Sequence, residues 1–86
     1  MDDIYITVFG TWWCEDCSRI RKILDRNHII YHWVDIDRDE RGEQFVLSTN
    51  RGMRSVPTIL FEDGSILVEP TDMEMQHRLE QILKSS

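Results

Sequence analysis

The chain has 86 residues and carries 16 Asp and Glu against 10 Lys and Arg, a net charge of -6. That length makes one small domain, residues 1–86, which buries about 60–65% of its unfolded surface. The acidic balance repels phosphate backbones and anionic lipid headgroups, so neither nucleic acid nor membrane is an expected partner. No apolar run approaches membrane-spanning length, and Met1-Asp2-Asp3 opens the chain without a basic region. A soluble, cytoplasmic protein is expected.

In chain order, Ile4-Tyr5-Ile6-Thr7-Val8-Phe9 is rich in β-branched and aromatic residues and runs into Gly10-Thr11, which predicts a buried strand ending in a turn. From Cys17 onward, Ile20, Ile23 and Leu24 recur at helical spacing, with Arg19, Arg21, Lys22, Asp25 and Arg26 on the other face and Asn27 as the stop. Ile29 to Ile36 reads as a second strand. Asp37 with Glu40 three positions on is a capping-box pattern for a helix to about Asn50, closed by Gly52 as its C-terminal cap. Thr58-Ile59-Leu60-Phe61 and Ile66-Leu67-Val68 flank Glu62-Asp63-Gly64-Ser65, a hairpin carried by Asp-Gly. Thr71 with Glu74 caps a last helix to about Lys84. The order is βαβαββα, without repeats or linkers, and the opening strand-helix-strand implies a right-handed crossover between parallel strands.

The chemistry concentrates in Thr11-Trp12-Trp13-Cys14-Glu15-Asp16-Cys17, which holds both of the chain's cysteines. A cytosolic pair at this spacing is more often catalytic or metal-binding than a permanent staple. Cys14, Cys17, His28 and His32 imitate a Cys2His2 zinc set, but the gap between the pairs is shorter than the roughly dozen residues of a zinc finger. The two histidines also bracket an extended run in which four residues span roughly 13 Å. His28, His32 and His77 are read as solvated surface side chains. A disulfide across two intervening residues removes little entropy from the unfolded chain. The redox reading uses the whole setting: a strand delivers Cys14 to the start of a helix, where free N–H groups and the dipole favour thiolate, and Cys17 follows one turn later. Cys14 is assigned attack and Cys17 resolution.

These motifs together resemble the glutaredoxins of the thioredoxin-fold superfamily, and most closely their mycoredoxin branch. The resemblance rests on Thr11 to Cys17, on Val34-Asp35-Ile36, on Arg54-Ser55-Val56-Pro57-Thr58 and on Phe61-Glu62-Asp63-Gly64, and so covers nearly the whole chain. It implies a thioredoxin-like α/β fold with a four-stranded mixed sheet flanked by three helices. It also implies a thiol-disulfide oxidoreductase that reduces protein disulfides or mixed disulfides with a small thiol. Pro57 is then the cis-proline closing one wall of the thiol site, and the backbone of Val56 pairs with an extended substrate.

Trp12 and Trp13 are both placed to shield the sulfur and contact a substrate, with packing on the fold the alternative for one of them, and Trp13, beside Cys14, is the candidate substrate contact. Arg54 is the candidate partner for a carboxylate or sugar oxygen of a small thiol, with Arg51 near enough to share the task. Met53, Met73 and Met75 are expected to fill or edge the core. The lysine that glutathione-using glutaredoxins usually carry before the motif is absent, as is their Gly-Gly-x-Asp cap, since Val68 is followed by Glu69-Pro70-Thr71-Asp72. Mycothiol, glutathione or another small thiol therefore stands as co-substrate, with no tightly bound cofactor or metal. The expected partners are thiolated or disulfide-containing proteins and an upstream reductase system, acting on a monomer. Two other classes remain alongside: a Cys-ligated metal or iron-sulfur carrier, and a redox-inert interaction module of the same fold.

Overall fold

A computed structural model describes residues 5–85. Its elements run β1 (Ile6–Gly10), α1 (Glu15–Arg26), β2 (His32–Asp35), α2 (Glu40–Thr49), β3 (Thr58–Phe61), β4 (Ile66–Val68) and α3 (Asp72–Ser85). The four strands form one mixed sheet in the order β2-β1-β3-β4. β1 pairs in parallel with β2, Val8 opposite Trp33, while β1 with β3 and β3 with β4 are antiparallel. This is the βαβαββα order expected from the sequence. Among the described residues no helix is long and apolar enough to cross a membrane.

Alternation along β1 divides the core between two faces. Ile6 and Val8 join Ile20, Ile23 and Leu24 of α1, Ile59 and Phe61 of β3, and Met75 and Leu79 of α3 in one buried cluster. Phe9 belongs to the second cluster, with Ile36 and Val46 and the flanking Val34, Phe45, Val56 and Leu60. Phe9 and Phe45 stack with ring centroids 4.7 Å apart, an arrangement worth about 0.5–1.5 kcal/mol beyond its buried area. Helices α1 and α3 thus cover one face of the sheet and α2 the other.

Several boundaries differ from the sequence expectation for identifiable reasons. β1 extends through Gly10, and Ile4 lies outside the described residues. β2 begins at His32 and not at Ile29, because the chain leaving α1 first closes the helix: His28 takes a left-handed φ of 58° and the N–H of Ile29 donates to the carbonyl of Leu24 at 3.0 Å. α2 is capped by Asp39, whose carboxylate accepts from the N–H of Gly42 at 2.8 Å, and not by Asp37. Its C-terminal cap is Asn50, after which Arg51 and Gly52 both take positive φ and Gly52 donates to the carbonyl of Leu47. The hairpin strands and the α3 cap match the expectation, the N–H of Thr71 donating to Glu74 Oε1 at 2.8 Å and the N–H of Glu74 to Thr71 Oγ1 at 3.1 Å. Of the three methionines expected at the core, Met75 is fully buried, whereas Met53 and Met73 are exposed.

Gly10 ends β1 directly beneath the cysteines. A Cβ there would lie 2.6 Å from Cys17 Sγ and 2.8 Å from Trp33 Cη2, so only glycine lets the helix and β2 close over this point. Gly10→Ala is expected to destabilise the protein by about 1–3 kcal/mol, the usual range for overpacking. Urea denaturation measures this, and an unchanged midpoint would contradict it.

Candidate active site

The end of β1 and the start of α1 place the two sulfurs differently. Cys14 is the N-cap of α1, with extended backbone at φ -84° and ψ 118°, and its Sγ accepts a hydrogen bond from the N–H of Cys17 at 3.2 Å. A sulfur here occupies the place usually held by a Ser or Asp oxygen. Glu15 and Asp16 lie in the first turn, where acids favour helix formation. Cys14 is partly exposed and Cys17 fully buried, and both thiols are free. Burial first, and the hydrogen bond with Cys14 second, push the Cys17 thiol up to about 12 from its usual 9.0.

The loop before β3 forms the opposite wall. The Val56–Pro57 peptide bond is cis, as the resemblance implied, and Pro57 is buried. The carbonyl of Pro57 accepts from the N–H of Glu69 at 2.8 Å, tying this loop to the end of β4. The Cys14 thiol faces the carbonyl oxygen of Val56 at 4.0 Å. Cys14, Cys17, Val56 and Pro57 therefore converge on one locus although 42 residues separate Cys14 from Val56.

The two tryptophans take different settings. Trp12 lies 4.9 Å from Trp33, and the guanidinium of Arg21 sits 4.5 Å from the Trp12 ring and 4.6 Å from the Trp33 ring. This cation–π packing fixes Trp12 on the fold. Trp13 is 71% exposed, and its Nε1–H donates to Asp37 Oδ2 at 2.9 Å. The other oxygen of the same carboxylate, Oδ1, accepts from Arg54 Nη2 at 2.6 Å, and Arg54 Nε donates to Glu43 Oε2 at 2.8 Å. Trp13 and Arg54 are thus joined through Asp37, a residue that sequence reasoning took for a helix cap. Arg54, through hydrogen bonding, and then Trp13 hold the Asp37 carboxyl below its usual range. Arg51 instead forms part of the exit from α2.

Within α1 a second arginine is similarly engaged. Arg19 pairs with Asp72 and with Asp16, and its Nη2 donates to the carbonyl of Pro70 at 3.2 Å. No sequence pattern announced Asp72, which lies 53 residues from Arg19, whereas Asp16 is an i,i+3 neighbour on the same helix. His28 is an exposed residue of the α1–β2 connection and His32 an exposed first residue of β2. Among the described residues, no group of three or more His, Cys, Asp or Glu side chains is arranged to hold a metal ion.

A mixed four-stranded sheet with a Cys-x-x-Cys pair at a helix N-terminus, facing a cis-proline loop, defines a thioredoxin-fold protein. Solved structures agree on the fold: a mutant of the thioredoxin-like protein BC3987 matches with a TM-score of 0.76 at 23% identity, covering 87% of this chain and 94% of that one. A buckwheat glutaredoxin in complex with glutathione matches with a TM-score of 0.71 at 24% identity, covering 94% of this chain and 74% of that one. Sequence narrows the class to a family. The glutaredoxin family model matches residues 6–66. A Mycobacterium tuberculosis protein that carries a glutaredoxin name is 40% identical over 77 residues, covering 90% of this chain and 92% of the relative. Mycoredoxin 1 of Corynebacterium glutamicum is 35% identical over 75 residues, covering 87% of this chain and 92% of the relative. The chain belongs to the glutaredoxin family, a family of thiol-disulfide oxidoreductases that use glutathione or mycothiol as co-substrate.

The raised Cys17 thiol has a consequence for stability. Between pH 9.0 and about 12 the folded chain holds a proton that the unfolded chain releases, so this contribution is fully present below pH 9.0 and is lost as pH rises toward 12. Urea titrations of the reduced protein across that window are expected to show declining stability, with a shallower decline in Cys17→Ala. Parallel declines in the two proteins would contradict the assignment.

Proposed function

We propose that the chain reduces mixed disulfides between proteins and a small thiol of the mycothiol or glutathione type, and protein disulfides, through Cys14 and Cys17. The observation that carries this reading is the position of Cys14 Sγ, which caps α1, accepts the Cys17 N–H and faces the Val56 carbonyl across the mouth of the site. A helix N-terminus favours negative charge on an atom so placed.

In the first step the Cys14 thiolate attacks the sulfur of the small thiol in the mixed disulfide. A new S–S bond joins Cys14 to that thiol, and the protein substrate leaves as a thiolate that takes up a proton from solvent. In the second step either Cys17 or a second small thiol, after losing its proton, attacks the Cys14 adduct; the small thiol attacks the adduct's outer sulfur, leaves as the small-thiol disulfide and frees the Cys14 thiolate. With Cys17 the products are an intramolecular disulfide and the released small thiol, and two electrons and two protons from a dithiol or two small thiols restore the pair. Buried and protonated, Cys17 stays out of the first step. Its N–H bond to Cys14 keeps it one helical turn away for the second.

The substrate lies along Val56 and Pro57, whose loop presents backbone groups to an extended segment, with Trp13 and Arg54 contacting the small-thiol moiety. Similarity to mycoredoxin 1 and the missing glutathione signatures favour mycothiol as the co-substrate. The protein acts as a cytoplasmic monomer supplied by a thiol or disulfide reductase system, and requires no resident cofactor.

Cys14→Ser is expected to abolish turnover of a mixed disulfide substrate, whereas Cys17→Ser accumulates a Cys14 adduct detectable by intact-protein mass spectrometry. It continues to turn over when a small thiol resolves that adduct. Loss of activity in both variants with no trapped adduct in Cys17→Ser would refute the division of labour.

A further inference from the structure

Arg54 offers its guanidinium at the site, yet its charge is already spoken for. Nε donates to Glu43 and Nη2 to Asp37, two carboxylates against one cation. Arg19, within α1, shows the same excess, with Asp16 and Asp72 as its partners. Neither arginine presents a net positive field to an incoming ligand. Asp37 is the distinctive member, because its second oxygen holds the indole N–H of Trp13, the residue next to Cys14. A carboxylate bridging the arginine and the tryptophan occupies the place where an anionic ligand's carboxylate would bind Arg54. This use of the side chain is separate from helix formation, since Asp39 caps α2.

We propose that Asp37 is a specificity-determining residue that acts as a built-in substitute for a ligand carboxylate, so that the site discriminates against anionic disulfides and in favour of neutral or cationic ones. The inference rests on the thiol-disulfide reading above and adds the charge class of the substrate to it. Its logic is competition. An anionic disulfide must displace Asp37 from Arg54 and then meet that displaced charge, whereas a neutral polyhydroxylated or cationic group meets no such opposition. The Arg54–Asp37 pair is about two-fifths exposed on each side, which keeps the exchange cheap enough to act as a filter.

The test is a stopped-flow measurement of the second-order rate constant for modification of Cys14 in the reduced protein. Three probes are used: bis(2-hydroxyethyl) disulfide, which is neutral, 3,3′-dithiodipropionate, which is anionic, and cystamine, which is cationic. Asp37→Asn keeps the shape and removes the charge. It is expected to raise the anionic-to-neutral rate ratio about five-fold and to lower the cationic-to-neutral ratio, with both changes shrinking at about 0.5 M salt. Asp37→Glu is expected to retain the original ratios, and adding Arg54→Ala to Asp37→Asn is expected to cancel the anionic gain, because the gain acts through Arg54. An anionic-to-neutral ratio that moves by less than about 1.5-fold, or an equal fall with all three probes, would overturn the proposal and leave Asp37 a purely structural link. Failure of all three probes to modify Cys14 in the unsubstituted protein would be a different result, overturning the thiol-disulfide reading and this inference with it.

Discussion

The hydrogen bond from the backbone N–H of Cys17 to Cys14 Sγ ties the fold to its chemistry. A helix N-terminus leaves backbone donors without intrahelical partners, and a capping side chain must take them up. In α1 that cap is a sulfur, so the group that completes the helix is also the group proposed to attack a disulfide. Its location follows from β1. The strand ends at Gly10, the connection turns through Thr11 with the N–H of Cys14 donating to the Thr11 carbonyl, and the helix starts at Glu15. The absence of a side chain at Gly10 allows Cys17 and Trp33 to pack against the strand end. Burying Cys17 while leaving Cys14 partly exposed makes chemically different thiols from identical residues one helical turn apart.

The surroundings of Cys14 are assembled from segments far apart in sequence. The sheet brings the cis Val56–Pro57 loop opposite the cap because β3 pairs antiparallel to β1. β2, on the other side of β1, delivers the turn that contains Asp37, and α2 adds Glu43. The result is an acidic frame in which Arg19 and Arg54 are each held by two carboxylates. Exposed ion pairs of this kind contribute little to stability, so their consequence lies in the field presented to a ligand.

Local chemistry was readable in the sequence wherever it had a single solution. Asp63-Gly64 between two short apolar runs could only be a hairpin turn, and Thr71 with Glu74 forms the reciprocal cap that its spacing implied. The segment Asp35 to Glu40 holds three aspartates, a residue type that caps helices. The sequence pattern favoured Asp37, whereas the structure uses Asp39. Asp37 instead holds Arg54, 17 residues away, and no local pattern reports a contact at that distance. The same limit hid the pairing of Arg19 with Asp72 and the exposure of Met53 and Met73, whose apolar character said nothing about which side of the fold they would occupy. Convergence of Cys14 with Val56 and Pro57 was foreseeable only through resemblance, since spacing alone does not bring residues 14 and 56 together.

The central claim is that Cys14 sulfur is at once the cap of α1 and the atom on which negative charge develops. It is tested most directly by following the Cys17 backbone amide proton by NMR as the reduced protein is titrated through ionisation of Cys14. A charged sulfur accepts a stronger hydrogen bond than a neutral one, so the account predicts a downfield shift of this resonance that coincides with thiolate formation. An amide resonance that stays in place while the thiolate forms would show that the sulfur does not hold the helix, and would contradict the account.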